Sequence, residues 1–476
     1  MSTPVSRRSF TAALAAASQG AAQTAGAKRP NILFLLSDDH SVPFLGCLGD
    51  PTIQTPTLDK LASEGMLFNR CFTGAPQCVP SRACYMTGRT PVAVRMGRFN
   101  SPLPRDIKTL PEHLRASGYY TGICRRNYHL DGPGRFGPVN QEIVERYNML
   151  TFKDRVDMLH SGGTRNDSAP ILSKFIDQAG AKPWFMWMSF NDPHWPWDKA
   201  TTNPHDPAKL KLLPHMPDVP GMRDDLARHY DEIARVDDEI STVLKVLDQR
   251  GLRDNTIVFF AGDNGMAFPK GKGSLYDRGL NVPMMMRWPG VIRPGSKSEE
   301  LVSGEDVAPT LLDAVGIKPA PEMSGRSYLR LLKGEQYEHR KFIYGARLYH
   351  GSAPMTDTTK ANTFDLSRCV RSKRYKLIYN CTPHMEYWPV DSGNDPGWQQ
   401  TVAAHNAGKL PPALEQAYFG KRKVWELYDL HEDPSELKNI YGTPDLQKMV
   451  NEMLVYMQEC MMRDHDFLPL PMPVTA

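Results

Sequence analysis

Several features are missing from this 476-residue chain, and each absence narrows what it can be. Past the N-terminus no stretch approaches the ~18 consecutive apolar residues that a membrane-spanning helix needs, so no span is expected. No internal repeat or low-complexity tract is evident beyond the N-terminal region, which sets aside solenoids, propellers and arrays. Neither sign of charge dominates: 57 Lys and Arg stand against 53 Asp and Glu, and a net +4 implies nothing about nucleic acid. The eight cysteines form no Cys-x-x-Cys pair and no zinc spacing. Cys369 and Cys381, beside two strand-like segments, are candidates for a pair in an oxidising compartment.

What is present suits a soluble globular protein, with 41% hydrophobic and 23% charged residues. The length exceeds one ordinary domain. A larger α/β domain is expected over residues 28–335, followed by a smaller α+β subdomain over 336–476, where shorter strand-like pieces begin. At the N-terminus, Ser6-Arg7-Arg8-Ser9-Phe10 precedes an alanine-rich run ending at Ala27. That order resembles a twin-arginine export signal over residues 1–27, which implies a periplasmic or secreted protein.

Three continuous apolar runs read as strands buried on both faces, and each stops abruptly at polar residues. Asn31 to Leu36 ends in Ser37-Asp38-Asp39-His40, Trp184 to Phe190 in Asn191-Asp192-Pro193-His194, and Thr256 to Phe260 in Ala261-Gly262-Asp263-Asn264-Gly265. Ligands bind at the carboxyl ends of strands in open α/β sheets. Hard oxygen donors there suit Ca²⁺ or Mg²⁺, so the three ends are expected to share one site. Between them, apolar residues from Leu226 to Leu247 recur at helical spacing, and the Asp237-Asp238-Glu239 run within them reads as a solvated face. The stretch Pro383 to Ala413, rich in Pro, Gly, Asn and Trp, reads as a long functional loop.

The densest stretch is Cys78-Val79-Pro80-Ser81-Arg82-Ala83-Cys84-Tyr85-Met86-Thr87-Gly88-Arg89. Pro80 fits a first helical turn and Gly88 a helix exit, placing Cys78 at a helix N-terminus. Such a position favours an anion, and a thiol there would be activated.

This stretch resembles the signature of the type I sulfatases, Cys-x-Pro-Ser-Arg with a Thr-Gly-Arg tail. The resemblance extends over almost the whole chain and implies an alkaline-phosphatase-like fold: a large, mixed, mostly parallel sheet sandwiched by helices, with a smaller C-terminal antiparallel sheet. It implies that Cys78 is oxidised to formylglycine by a formylglycine-generating enzyme. One hydroxyl of the hydrated aldehyde then attacks sulfur, and the other later expels sulfate. Asp38, Asp39, Asp263 and Asn264, with the modified Cys78, match the family's ligands for one divalent cation, Ca²⁺ ahead of Mg²⁺. Arg82 matches the arginine that orients the formylglycine, and His129 the histidine that activates it. His194 and Lys272 match the pair that meets the sulfate and leaving group. A family lysine is replaced by Arg126, or by Arg125. The C-terminal Arg371-Ser372-Lys373-Arg374-Tyr375-Lys376-Leu377 strand and the Trp425 to Asn439 segment look most like N-sulfoglucosamine sulfohydrolases. The resemblance thus implies hydrolysis of sulfate esters or sulfamates of a carbohydrate, or of a small sulfate ester. Two competing expectations are a phosphonate or phosphate diester hydrolase of the same fold and a non-catalytic sulfated-glycan-binding protein.

Overall fold

The computed structural model describes residues 29–97, 102–126, 128–131, 138–149, 152–199, 201–350 and 364–471. The export signal read over 1–27 lies outside them.

The eight-stranded sheet runs in the order Met158–His160, Tyr120–Cys124, Trp184–Ser189, Asn31–Ser37, Thr256–Gly262, Met284–Arg287, Met66–Phe68, Ser296–Ser298. All strands run parallel except Met284–Arg287, which is antiparallel to both neighbours. The three apolar runs are therefore adjacent, with Asn31–Ser37 in the middle. Their lack of alternation has a direct cause: Ile32, Phe34 and Leu36 point into one core while Leu33 and Leu35 point into the other. Phe34 stacks on Trp187 at 4.1 Å between centroids and lies 4.5 Å from Phe259, so side chains from three strands lock the middle of the sheet. Burying each such ring fully stabilises the fold by about 1.5–3 kcal/mol. Met284, Met285 and Met286 belong to the same two cores.

The long helix Pro220–Gln249 departs from the solvated-face reading. Within the charged run, only Asp238 is exposed. Asp237 accepts the backbone N–H groups of Thr57 and Leu58 at 3.0 and 2.7 Å, capping the helix Pro56–Ser63, and Glu239 pairs with Arg125. Helices Pro56–Ser63 and Ser168–Ala179 both pack against this helix, so part of its charged run is enclosed and satisfied by partners.

Towards the C-terminus a four-stranded antiparallel sheet, Ile343–Arg347, Ser367–Arg371, Tyr375–Asn380 and Trp425–Asp429, is covered on one face by the helix Gln447–Arg463 through Val450, Met453, Leu454 and Met457. Its other face packs on Leu275 and Leu280, just beyond the Asp263 loop. All eight cysteines are free; Cys369 sits opposite Ile378, which carries it away from Cys381. The stretch read as a loop from Pro383 to Ala413 contains the helix Pro396–Asn406.

Candidate active site

The helix Cys78–Thr87 starts with Gln77 extended at its N-cap and ends at Gly88, whose φ of 66° is left-handed and favours glycine. This places Cys78 against the ends of the central strands. Those ends are stitched together by backbone bonds: Asp263 N–H to Ser37 C=O at 3.0 Å, His40 N–H to Asn264 C=O at 2.8 Å, and Asp38 N–H to Asp192 C=O at 3.3 Å. The Asp39 N–H also donates to Asp263 Oδ1 at 3.1 Å.

Three buried carboxylates meet here, and Arg82 holds two of them. Its Nε donates to Asp263 Oδ2 at 2.9 Å, Nη2 to Asp38 Oδ2 at 2.8 Å, and Nη1 to Ser189 Oγ at 2.9 Å. Cys78 Sγ lies 3.5 Å from Asp38 Oδ1 and 3.9 Å from Asp39 Oδ1. Burial, with Asp263 and Asp39 nearby, pushes the Cys78 thiol well above its usual range despite Lys272. The helix start therefore does not activate the thiol: removal from water and two carboxylates outweigh the helix dipole.

Asp38, Asp39, Cys78 and His194 offer ligand atoms within 4.8 Å of one another. Asn264 donates its amide N–H to Asp39 Oδ1 at 2.9 Å and to Gly265 C=O at 2.8 Å, while its Oδ1 is buried without a hydrogen-bond partner. An orphaned buried amide oxygen beside three carboxylates is a donor set that fits a hard divalent cation. Of the five expected ligands, Asp38, Asp39 and Cys78 thus form a compact group. Asp263 and Asn264 reach it through hydrogen bonds to Asp39, and His194 joins it.

Arg125 and Arg126 turn in opposite directions, both with positive φ. Arg126 pairs with Asp38 and donates to Asn191 Oδ1 at 3.0 Å, whereas Arg125 binds Glu239 and Ser168 Oγ away from Cys78. His129 is buried, and burial together with Arg126 and Arg82 holds its imidazole neutral.

His194 Nδ1 meets the Trp195 carbonyl, which requires the proton on Nδ1 and leaves Nε2 as an acceptor. Lys272 Nζ donates to that Nε2 at 3.1 Å, to Asp39 Oδ2 at 2.9 Å and to Asp391 Oδ2 at 2.7 Å. Burial works against the Lys272 charge, yet Asp39 and Asp391 push its pKa well above the usual lysine value. His194 stays neutral because of burial and the Lys272 charge.

Asp391 escaped the sequence reading. It lies in the stretch before the helix Pro396–Asn406, has φ 66°, and sits 3.9 Å from His350 as well as against Lys272. The only sequence signal was the unusual length of that stretch. Trp197, three residues after His194, belongs to the core and stacks on Phe268 at 4.5 Å.

The sulfatase family profile matches residues 30–317, more than half the chain. This chain belongs to the sulfatase family. As a family member it is a sulfuric ester hydrolase, and residues 269–410 and 414–463 match the profile described as N-sulphoglucosamine sulphohydrolase, C-terminal. It is 29% identical to an ulvan-active sulfatase of Formosa agariphila over 90% of this sulfatase and 74% of the relative. To human N-sulphoglucosamine sulphohydrolase it is 26% identical over 92% and 91% of the two chains. Among solved structures, a protein in complex with its substrate D-glucosamine-2-N,6-O-disulfate superposes with a TM-score of 0.68 at 20% identity, covering 93% of this chain and 99% of that one. The phosphonate monoester hydrolase of Agrobacterium radiobacter gives 0.67 at 20% identity over 92% and 96%, a likeness of fold alone. Among the described residues no helix is long and apolar enough to cross a membrane.

Proposed function

We propose that this sulfatase removes sulfate from a sulfated glycan, as ester or sulfamate, using a formylglycine made from Cys78 and one divalent cation, Ca²⁺ ahead of Mg²⁺. The carrying observation is the setting of Cys78: its Sγ lies 3.5 Å from Asp38 Oδ1, in one compact group of cation-type donors with Asp38, Asp39 and His194. When present, the hydrated aldehyde supplies an oxygen nucleophile and the cation supplies positive charge to a sulfate oxygen.

The chain's own residues do the rest. Arg82 fixes the Asp38 and Asp263 carboxylates through one oxygen of each, leaving Asp38 Oδ1 to face position 78. Arg126 and Lys272 bring positive charge to the sulfate. His129, neutral, accepts a proton at position 78. With a lone pair on Nε2, His194 orients the Lys272 ammonium, and the two together meet the sulfate and the leaving oxygen or nitrogen. The unit 28–335 carries this machinery, and the subdomain 336–476 closes it with Asp391. Export by the twin-arginine route, after modification by a formylglycine-generating enzyme, would deliver the folded enzyme to the periplasm or outside.

The C-terminal profile match supports N-sulfoglucosamine as the first substrate to try. Mass spectrometry of the tryptic peptide spanning Cys78 should show aldehyde in place of thiol when the modifying enzyme is co-expressed. A persistent thiol in active protein would sink the mechanism. Turnover of aryl sulfate, aryl phosphodiester and N-sulfoglucosamine should then favour the sulfated compounds; a clear preference for the diester would replace this reading with the phosphodiesterase one.

A further inference from the structure

The two residues before Cys78 tie the start of its helix to the neighbourhood of Lys272 from two directions. Pro76 C=O accepts the Gly273 N–H, next to Lys272, at 2.7 Å. Gln77, fully buried, faces the chain that leaves the strand Ile343–Arg347. Its Oε1 accepts the Leu348 N–H at 3.2 Å, which turns Nε2 towards the Leu348 and Tyr349 carbonyls at 3.3 and 3.4 Å and towards His350 Nδ1 at 3.1 Å. A donor aimed at Nδ1 meets its lone pair, so the single proton of the neutral ring sits on Nε2. Burial lowers the His350 pKa and keeps that ring neutral, against the pull of Asp391. The protonated Nε2 lies 3.9 Å from Asp391 Oδ1.

Asp391 divides its carboxylate between two neighbours: Oδ1 faces His350, and Oδ2 accepts Lys272 Nζ at 2.7 Å. Burial disfavours its charge, yet Lys272 and His350 hold its pKa well below the usual carboxylate value. The preceding residue, Val390, is seated on Gly273: a Cβ at Gly273, whose φ of 73° already favours glycine, would lie 2.2 Å from Val390 Cγ2. This close approach fixes the register between the Lys272 loop and the Asp391 stretch. Gln77, His350, Asp391 and Lys272 thus form a chain that starts beside position 78 and returns to it where Lys272 meets Asp39. We infer that His350 is a positioning residue for the reaction: acting through Asp391, it holds the Lys272 ammonium in place at the leaving group. This rests on the sulfatase reading above, in which Lys272 and His194 meet the leaving oxygen or nitrogen. Without the His350 N–H, Asp391 Oδ1 loses this partner, the carboxylate turns more freely, and Lys272 moves with it; misplacement by about 1 Å is enough to slow a reaction.

The test compares His350→Asn, whose short amide stays on the Gln77 side, with His350→Gln, whose amide reaches the place of Nε2, each co-expressed with the modifying enzyme. Phenyl sulfate, with a more basic leaving oxygen, depends on Lys272 more than 4-nitrophenyl sulfate does. His350→Asn should lower kcat/KM about ten-fold on phenyl sulfate and about two-fold on 4-nitrophenyl sulfate, and His350→Gln should recover most of the loss on phenyl sulfate. In a Lys272→Ala background, His350→Asn should cost less than about two-fold, because changes along one coupled chain do not add. Losses that multiply in the double variant, as a direct contact of His350 with the substrate would give, would overturn the inference. An equal loss on the two substrates in His350→Asn, while Lys272→Ala discriminates between them, would overturn it too. A failure of the catalytic reading looks different: Lys272→Ala itself would then slow both substrates equally, and the inference would fall with it.

Discussion

Exchanging the adjacent arginines one at a time should separate catalysis from stability. In Arg126→Ala, Asp38 loses one partner but keeps the Arg82 Nη2 contact at 2.8 Å, so its carboxylate is not orphaned. The stability loss should stay near about 1 kcal/mol. Loss of a preorganised positive charge facing the sulfate should lower kcat/KM by about 10²–10³, which is about 2.7–4 kcal/mol at 1.36 kcal/mol per factor of ten. Arg125→Ala should do the reverse. Arg125 and Glu239 are 5% and 2% exposed in their side chains, and removing one leaves the other charge buried. That costs about 3–5 kcal/mol, a large share of the 5–15 kcal/mol that holds a typical domain folded. The folded fraction should turn over substrate within a few-fold of the parent. Replacing both partners together, Arg125→Met with Glu239→Leu, should recover most of the stability, because buried pairs exchange for packed apolar side chains at little net cost. Urea unfolding followed by circular dichroism, with initial rates on an aryl sulfate, reads both quantities. Parental kcat/KM in Arg126→Ala, or a rate loss without destabilisation in Arg125→Ala, would refute the assignment.

Chelation followed by dialysis should abolish turnover and lower Tm, because the buried carboxylates Asp38, Asp39 and Asp263 lose a counter-charge; addition of Ca²⁺ should restore both, and an unaltered Tm and rate would contradict the cation site. Asp391→Ala should lower kcat/KM roughly ten-fold by leaving Lys272 with Asp39 as its one carboxylate partner, with the parental rate as the contrary result. His229, enclosed by Phe44, Trp197 and Phe268, has its pKa lowered to about 3 by burial. The unfolded chain takes up this proton from pH ~6.5 downward and the folded chain does not, so the stabilisation is complete above pH ~6.5 and is lost as pH falls towards 3. This one group contributes a slope of up to about 1.4 kcal/mol per pH unit, and His229→Phe should lower the measured slope by that share; an identical pH profile of unfolding in that variant would contradict this origin.

The central sheet was legible because strands buried on both faces need apolar residues at every position, and the polar stops at Asp38, Asn191 and Asp263 marked where the strands leave the core. The helix at Cys78 was legible from Pro80 and Gly88, whose backbone limits are local. Asp237 and Glu239 were misread because a charge run does not disclose that Thr57, Leu58 and Arg125 will enclose it. The choice between Arg125 and Arg126 depended on two successive positive φ angles, which no side-chain pattern announces. Asp391 depended on long-range folding: its partner Lys272 is 119 residues away. The fate of the Cys78 thiol turned on burial, a tertiary quantity that helix position alone could not supply.

Burial of the signature also bears on the order of events in making the enzyme. Cys78 is 1% exposed, and Ser81 and Arg82 are fully covered, so the finished protein offers none of them to another enzyme. Any enzyme that reads and oxidises this segment must reach it while the chain is still open. Asp391 is synthesised about 300 residues after Cys78, a lag of about 15–60 s at ribosomal speed. If Cys78 is converted as proposed, maturation would be a race between oxidation and closure, and a variant that folds faster would accumulate more permanently unmodified, inactive protein.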